Sequence, residues 1–310
     1  MTRFEKVFLE SKLILTEGAL VERLKSEFNL EMNQHLNHAG LIYDNPEPLE
    51  ILYRQYIDIA VQHSLPIMIM TPTRRVNSES LARSVHRIKN VLSDSADFLH
   101  DIRASYSNHS QNIMNGGLLG CKGDAYSGEK ILDANAAYDF HRMQTKQFES
   151  TKVDFLFAGI MPEINEALGM ARAMAETNIP FIISFMLHKN GCLLDGTLLA
   201  DAIKTIDEQI APKPICYMTN CIHPTNLKQA FFNEKNHTRT ELKRFSGVQA
   251  NASILSPEEL NNCSVLHQDD FDNLVDEMRV LKEQFGLKII GGCCGTDEQL
   301  IADLANKLKT

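Results

Sequence analysis

The chain has 310 residues, a formal net charge of −9, 44% hydrophobic and 23% charged residues. That length suits one α/β domain over residues 1–310, with a core large enough to need no disulfide staples. The acidic balance argues against nucleic acid, because the densest basic spots, Arg74–Arg75 and Lys243–Arg244, are only pairs. No apolar run reaches the roughly 18 residues of a membrane span.

The opening MTRFEKVFLESKLIL breaks its apolar residues with charges, so it reads as neither a signal nor a transit peptide. A cytoplasmic protein is expected, in which the seven cysteines are thiols or ligands rather than disulfides.

In chain order, eight short apolar runs read as strands: Leu13–Gly18, Ile67–Thr73, Asn112–Gly116, Asp154–Gly159, Pro180–Leu187, Pro214–Cys221, Gly247–Ser253 and Leu287–Cys294. Their near-continuous hydrophobicity fits strands buried on both faces of a parallel sheet. Amphipathic stretches separate them. Leu49, Leu52, Tyr53, Tyr56, Ile59 and Ala60 follow helical spacing with Pro48 near the first turn. Ile164, Ala167, Leu168 and Ala171 do so after Pro162, and Phe271, Leu274, Val275, Met278 and Leu281 form a third stripe. Thr296 and Gln299 match a capping box ahead of Leu300, Ile301, Leu304 and Leu308.

Eightfold strand–helix alternation predicts a (β/α)₈ barrel of TIM type. The competing doubly wound sheet usually announces a Gly-rich phosphate loop after its first strand, and ALVERL here is not one.

Cys221 ends the sixth run, and Cys293 and Cys294 end the eighth. In a barrel both ends open on the catalytic face, so two strands can bring three thiols to one mouth. Three soft ligands with an open fourth position suit a catalytic zinc ion. The bland alternative is ordinary buried cysteine, or a vicinal redox pair. Gly291–Gly292 and Gly295 weaken that alternative and favour the zinc reading, by allowing turns that aim adjacent thiols at one ion. Cys121, Cys192, Cys216 and Cys263 lack such context and read as structural.

GGCCGT (Gly291–Thr296), with TNC (Thr219–Cys221) upstream, closely resembles the homocysteine S-methyltransferase family. GVQANAS (Gly247–Ser253), GLLGCKGDAY (Gly117–Tyr126) and EGAL (Glu17–Leu20) are similar to it as well, in family order along nearly the whole chain. The resemblance implies a Zn²⁺-dependent barrel that methylates the sulfur of homocysteine, with zinc on Cys221, Cys293 and Cys294. Its partners would be a small-molecule thiol and a methyl donor. Substrate contacts would come from Glu17, Gly18, Thr71, Thr73 and Asn220. His223 could be a ligand, a supporting donor or a loop histidine, and Asn251, Asp124 and Tyr126 are further polar candidates.

The chain departs from the family at three places. Glu17–Gly18 replaces Asp-Gly, Ala158–Gly159 replaces Glu-Thr, and Thr71–Pro72–Thr73 replaces Thr-Asn-Thr. Losing a buried charge-assisted hydrogen bond costs on the order of 1.5–3 kcal/mol, enough to change which thiol is favoured. Glu163 and Glu166 stand near enough in sequence to compensate. Nothing here reads as the cobalamin-binding domain that a folate donor demands. An aromatic cage for betaine lacks Trp, its best component. A sulfonium, S-methylmethionine or S-adenosylmethionine, is the simpler donor. The alternative function is a diverged, non-catalytic barrel that binds zinc or thiols. A third reading is an unrelated barrel enzyme with incidental cysteines.

Overall fold

The computed structural model describes residues 1–125, 132–256, 259 and 270–309. Tyr126 and Cys263 lie outside them. The eight runs form β1 (Ile14–Thr16), β2 (Ile67–Met70), β3 (Ile113–Gly120), β4 (Phe155–Met161), β5 (Phe181–Phe185), β6 (Cys216–Ile222), β7 (Phe245–Ala250) and β8 (Ile289–Gly292). They pair in parallel, in chain order, and β8 closes back on β1 through Ile14–Ile289 and Leu15–Ile290. Each strand is too short to be an independent helix and is flanked by amphipathic segments that must cover it. Closing the sheet satisfies both edges at once.

The strand alternation splits the core in two. Phe155 and Phe157 of β4 point into the barrel with Met68, Met114, Ile182, Met218 and Ile289. Leu156 and Ala158 point outward, into the layer beneath the helices. The helices there include Pro46–His63, Val91–Ala104, Ala134–Phe148, Ile164–Ala175, Leu199–Gln209, Phe271–Phe285 and Glu298–Leu308. A stripe of Leu49, Leu52, Tyr53, Tyr56, Ile57 and Ala60 is buried along the first of these, much as its spacing predicts.

Three expectations are corrected in detail. β3 runs on to Gly120 and β7 begins at Phe245, because glycine and polar residues inside these strands hide them from a hydrophobicity reading. The cap of the last helix is Asp297, whose side chain accepts from Leu300 N. Thr296 instead donates its hydroxyl to the Cys293 carbonyl at 2.7 Å.

The end of the barrel opposite the cysteines is plugged. A helix over Arg3–Glu10, closed by a capping box on Thr2 and Glu5, sets Phe4 on Phe155 with ring centroids 4.5 Å apart. Arg3 and Arg103 converge on Asp154, just before β4. Lys288, just before β8, donates to the Phe8 carbonyl. Phe4 is fully buried. We expect Phe4→Ala to remove about 3–5 kcal/mol of stability by opening a cavity at the barrel floor. It should be read as a lowered thermal midpoint, with the secondary structure kept at low temperature.

Candidate active site at the strand C-termini

Local backbone irregularities deliver the three sulfurs. In β6 the pairing with β7 skips from Asn220 to Ile222, leaving Cys221 as the bulged residue with φ +60°. A non-glycine residue there costs on the order of 1–3 kcal/mol, and such strain concentrates at functional sites. β8 ends in a turn pinned from both sides. Cys293 N donates to Ala250 O of β7 at 2.7 Å, Ala252 N to Cys294 O at 3.0 Å, and Gly292 N to Glu17 O at 3.2 Å. Glycine is required in this turn: a Cβ on Gly292 would collide with Thr296 Oγ1, and Gly295 has φ +75°.

The outcome is one cluster. The Sγ atoms of Cys221, Cys293 and Cys294 all lie within 4.8 Å of one another, and among the described residues they form the one such group of candidate ligands. Cys294 Sγ is 3.8 Å from Cys221 Sγ. Cys221 and Cys293, with Cα atoms 5.6 Å apart, are joined sulfur to sulfur. The expectation of unpaired thiols is corrected here, because sulfurs close enough to surround one ion are also close enough to pair. Burial, reinforced by the Glu22 carboxylate, pushes the Cys294 thiol up to about 12. Ionising this thiol therefore calls for a cation beside it. Three soft donors suit zinc, and the cavity above them leaves room for a fourth ligand.

That cavity measures about 330 Å³ and is mostly apolar, with Met70, Leu118, Phe157 and Ile160 among its walls. Glu17 and Gly18 line it. Glu17 follows β1 and is only 6% exposed; its Oε2 accepts from Met70 N at 3.2 Å. Burial raises its carboxyl to about 8, against the pull of the hydrogen bonds. Gly18 packs so tightly on the Tyr56 hydroxyl that a Cβ would lie 2.9 Å from it. Asn220 also lines the cavity, and its Oδ1 is committed to Ile160 N at 3.0 Å and the Ser184 hydroxyl at 2.7 Å. Its Nδ2 is thus the donor it can offer a ligand.

Other candidates are placed elsewhere. Thr71 and Thr73 do not line the cavity. Their hydroxyls bond each other at 2.6 Å and clasp the Leu118 backbone, Thr71 accepting from Leu118 N and Thr73 donating to Leu118 O. They shape the wall rather than meet a ligand. His223 is the N-cap of the helix Pro224–Phe232, its Nδ1 accepting from Thr225 N. Asn251 caps its own turn, accepting from Ser253 N. Asp124 lines a separate cavity with Arg75, Glu79 and Lys122.

Ala158 faces the helices, so a carboxylate at that position would enter the outer core, not the site. Cavity-lining Ile160 is the neighbour that matters. It is a β-branched residue at φ +56°, bulged between Ala158 and Met161. Glu163 and Glu166 do not compensate. Glu166 is buried on His141 Nε2 at 2.9 Å and on Lys122 N, while burial and the nearby Glu166 and Asp195 raise Glu163 to about 7.

Sequence reasoning missed Glu22, Lys25, His38, Arg74 and Gln249, all of which line the cavity. Glu22 accepts from Gly295 N and so braces the cysteine turn. Gln249 Nε2 donates to Thr16 Oγ1 at 3.2 Å across the β7–β1 gap. Glu22 lies in the same segment as Glu17 and could have been suspected. His38 comes from a loop with no pattern of its own.

A homocysteine S-methyltransferase family profile matches residues 14–308. Homocysteine S-methyltransferase YbgG of Bacillus subtilis is 23% identical over 94% of this chain and 93% of its own length. The homocysteine S-methyltransferase of Escherichia coli K12 is 20% identical over 94% of each chain. Among solved structures, the metallated form of the E. coli homocysteine methyltransferase MmuM superposes with TM-score 0.78 at 20% identity, covering 98% of this chain and 99% of that one. Its oxidised form superposes equally well, TM-score 0.78, over the full length of both.

The buried Glu17 makes the stability of the ligand-free protein depend on pH. Below its ordinary value of 4.5 the carboxyl is protonated whether folded or unfolded; between 4.5 and about 8 only the unfolded chain ionises, so stability falls as pH rises. Glu17→Gln should match wild type in acid and exceed it in thermal midpoint increasingly up to about pH 8. Parallel melting curves for the two proteins would reverse this account.

Proposed function

Since the chain belongs to the homocysteine S-methyltransferase family, we propose that it is a zinc-dependent S-methyltransferase, moving a methyl group from a sulfonium donor to homocysteine or a closely related thiol. The observation that carries this is the meeting of three sulfurs at the edge of a largely apolar cavity that also holds a buried carboxyl.

Cys221, Cys293 and Cys294 would hold the metal once the first two are reduced. A zinc ion on three thiolates would ionise a thiol at neutral pH, where an unbound thiol with its value near 8.5 is mostly protonated. Glu17 faces the cavity and would take the substrate ammonium, whose charge offsets the desolvation that keeps this carboxyl protonated when alone. Asn220 Nδ2 and the backbone beside Gly18 would orient the amino acid. Met70, Leu118, Phe157 and Ile160 keep water from the reacting atoms. The balance is simple: a carbon–sulfur bond forms to the acceptor as the donor's carbon–sulfonium bond breaks, its electron pair stays on the departing thioether, and the thiol proton leaves to solvent. Such a displacement needs no base during transfer.

The discriminating experiment is metal analysis with and without a thiol-free reductant, followed by incubation with homocysteine and S-methylmethionine or S-adenosylmethionine. Near-equimolar zinc after reduction, together with methionine formation, is the expected result. Zinc without methionine across these donors would favour a non-catalytic thiol-binding barrel. Cys294→Ala should lose both zinc and turnover; full zinc retention in that variant would overturn the ligand assignment.

A further inference from the structure

The cavity carries a cationic wall that the methyl-transfer reading leaves unused. Arg74, from the loop after β2, lines it together with His38 and Lys25. The arginine lies close enough to both His38 and Cys294 for its charge to act on each. Gly120, at the end of β3, makes room for it: a Cβ there would lie 2.5 Å from the Arg74 carbonyl oxygen and 2.8 Å from its Cγ. Arg74 forms no ion pair among the described residues, although the other half-buried arginines among them, Arg3, Arg54, Arg239 and Arg244, are each paired with a carboxylate.

His38 is the second, independent observation. It sits in a short 3₁₀ turn, only 7% exposed, and its Nδ1 finds no hydrogen-bond partner among the described residues. A buried polar atom left unsatisfied in a cavity wall costs on the order of 1–3 kcal/mol unless a ligand or water meets it. Burial and the nearby Arg74 hold this imidazole far below its ordinary value, at about 3, so it is a neutral hydrogen-bonding group.

We propose that Arg74 and His38 form an anion subsite that takes the carboxylate of an amino-acid ligand, with Lys25 adding charge at the rim. The proposal rests on reading the cavity as a methyl-transfer site and narrows its ligands. With Glu17 and Arg74 both lining it, the cavity offers a carboxyl and a guanidinium, matched to a zwitterion rather than to a simple cation. Arginine presents two parallel N–H donors to a carboxylate, which a lysine or a neutral side chain does not reproduce. Both the acceptor and an amino-acid sulfonium donor carry such a group.

The test compares methionine with 3-(methylthio)propylamine, which lacks the carboxylate, by calorimetry on the reduced, zinc-loaded protein. Wild type should prefer methionine, and Arg74→Gln should erase about ten- to a hundredfold of that preference. Arg74→Lys should restore part of it. Circular dichroism of each variant establishes that the fold is kept. Steady-state kinetics then separate the two sources: a raised KM for homocysteine in Arg74→Gln places the acceptor carboxylate there, and a raised KM for the sulfonium places the donor's. A preference undiminished in Arg74→Gln, or no preference in wild type, overturns the subsite. These binding readouts stand apart from turnover, so a protein that forms no methionine yet keeps an arginine-dependent preference would refute the reaction and leave the subsite in place.

Discussion

The closure of β8 onto β1, with β7 pressing from the other side, is the constraint on which the site depends. The two strands share few paired residues, but the turn that follows is tied in both directions, Gly292 to Glu17 and Cys293 to Ala250. The adjacent cysteines therefore do not hang on a mobile loop. Their backbone is fixed by the same hydrogen-bond ladder that closes the barrel. Cys221 is brought to meet them by a single bulge in β6. Rigid placement matters for such chemistry, since a reacting atom held a fraction of an ångström off line forfeits much of the advantage of proximity.

Around the sulfurs, polarity is allotted sparingly. The barrel interior below them is filled by Met, Phe and Ile side chains, so charge at the mouth meets a low-dielectric floor. The buried Glu17 carboxyl shows the effect most clearly, as no cation among the described residues offsets its desolvation. A ligand that supplies the missing positive charge is favoured there over water. Glu22 has the opposite function: half-exposed, it accepts a backbone hydrogen bond and braces the turn.

Much of this was legible in the chain itself. Eight apolar runs separated by helical spacing implied the barrel, because parallel strands covered on both faces cannot hide their hydrophobicity. GGCC and TNC marked the sulfurs, since their chemistry and their place at strand ends are both local properties. What escaped were contacts set by tertiary packing. Thr71 and Thr73 read as ligand contacts, but their hydroxyls are used up on the Leu118 backbone. Ala158 read as the site of a lost carboxylate, yet strand alternation turns it toward the helices. No period announces where a β-bulge resets that alternation, which is why Ile160 was placed only by the structure. His38 and Arg74 come from loops, where distance along the chain says nothing about distance in space.

The order of the sulfurs along the polypeptide has a consequence for biosynthesis. Cys293 follows Cys221 by 72 residues and belongs to the last strand. A ribosome emits the chain from the other end, at about 5–20 residues per second. For several seconds the nascent protein exposes Cys221 at the rim of an incomplete sheet, with no neighbouring sulfur to share an ion. Only the arrival of β8 seals the sheet and completes the trio in one event. Any ligand that needs all three sulfurs can thus be held only after β8 has emerged and paired.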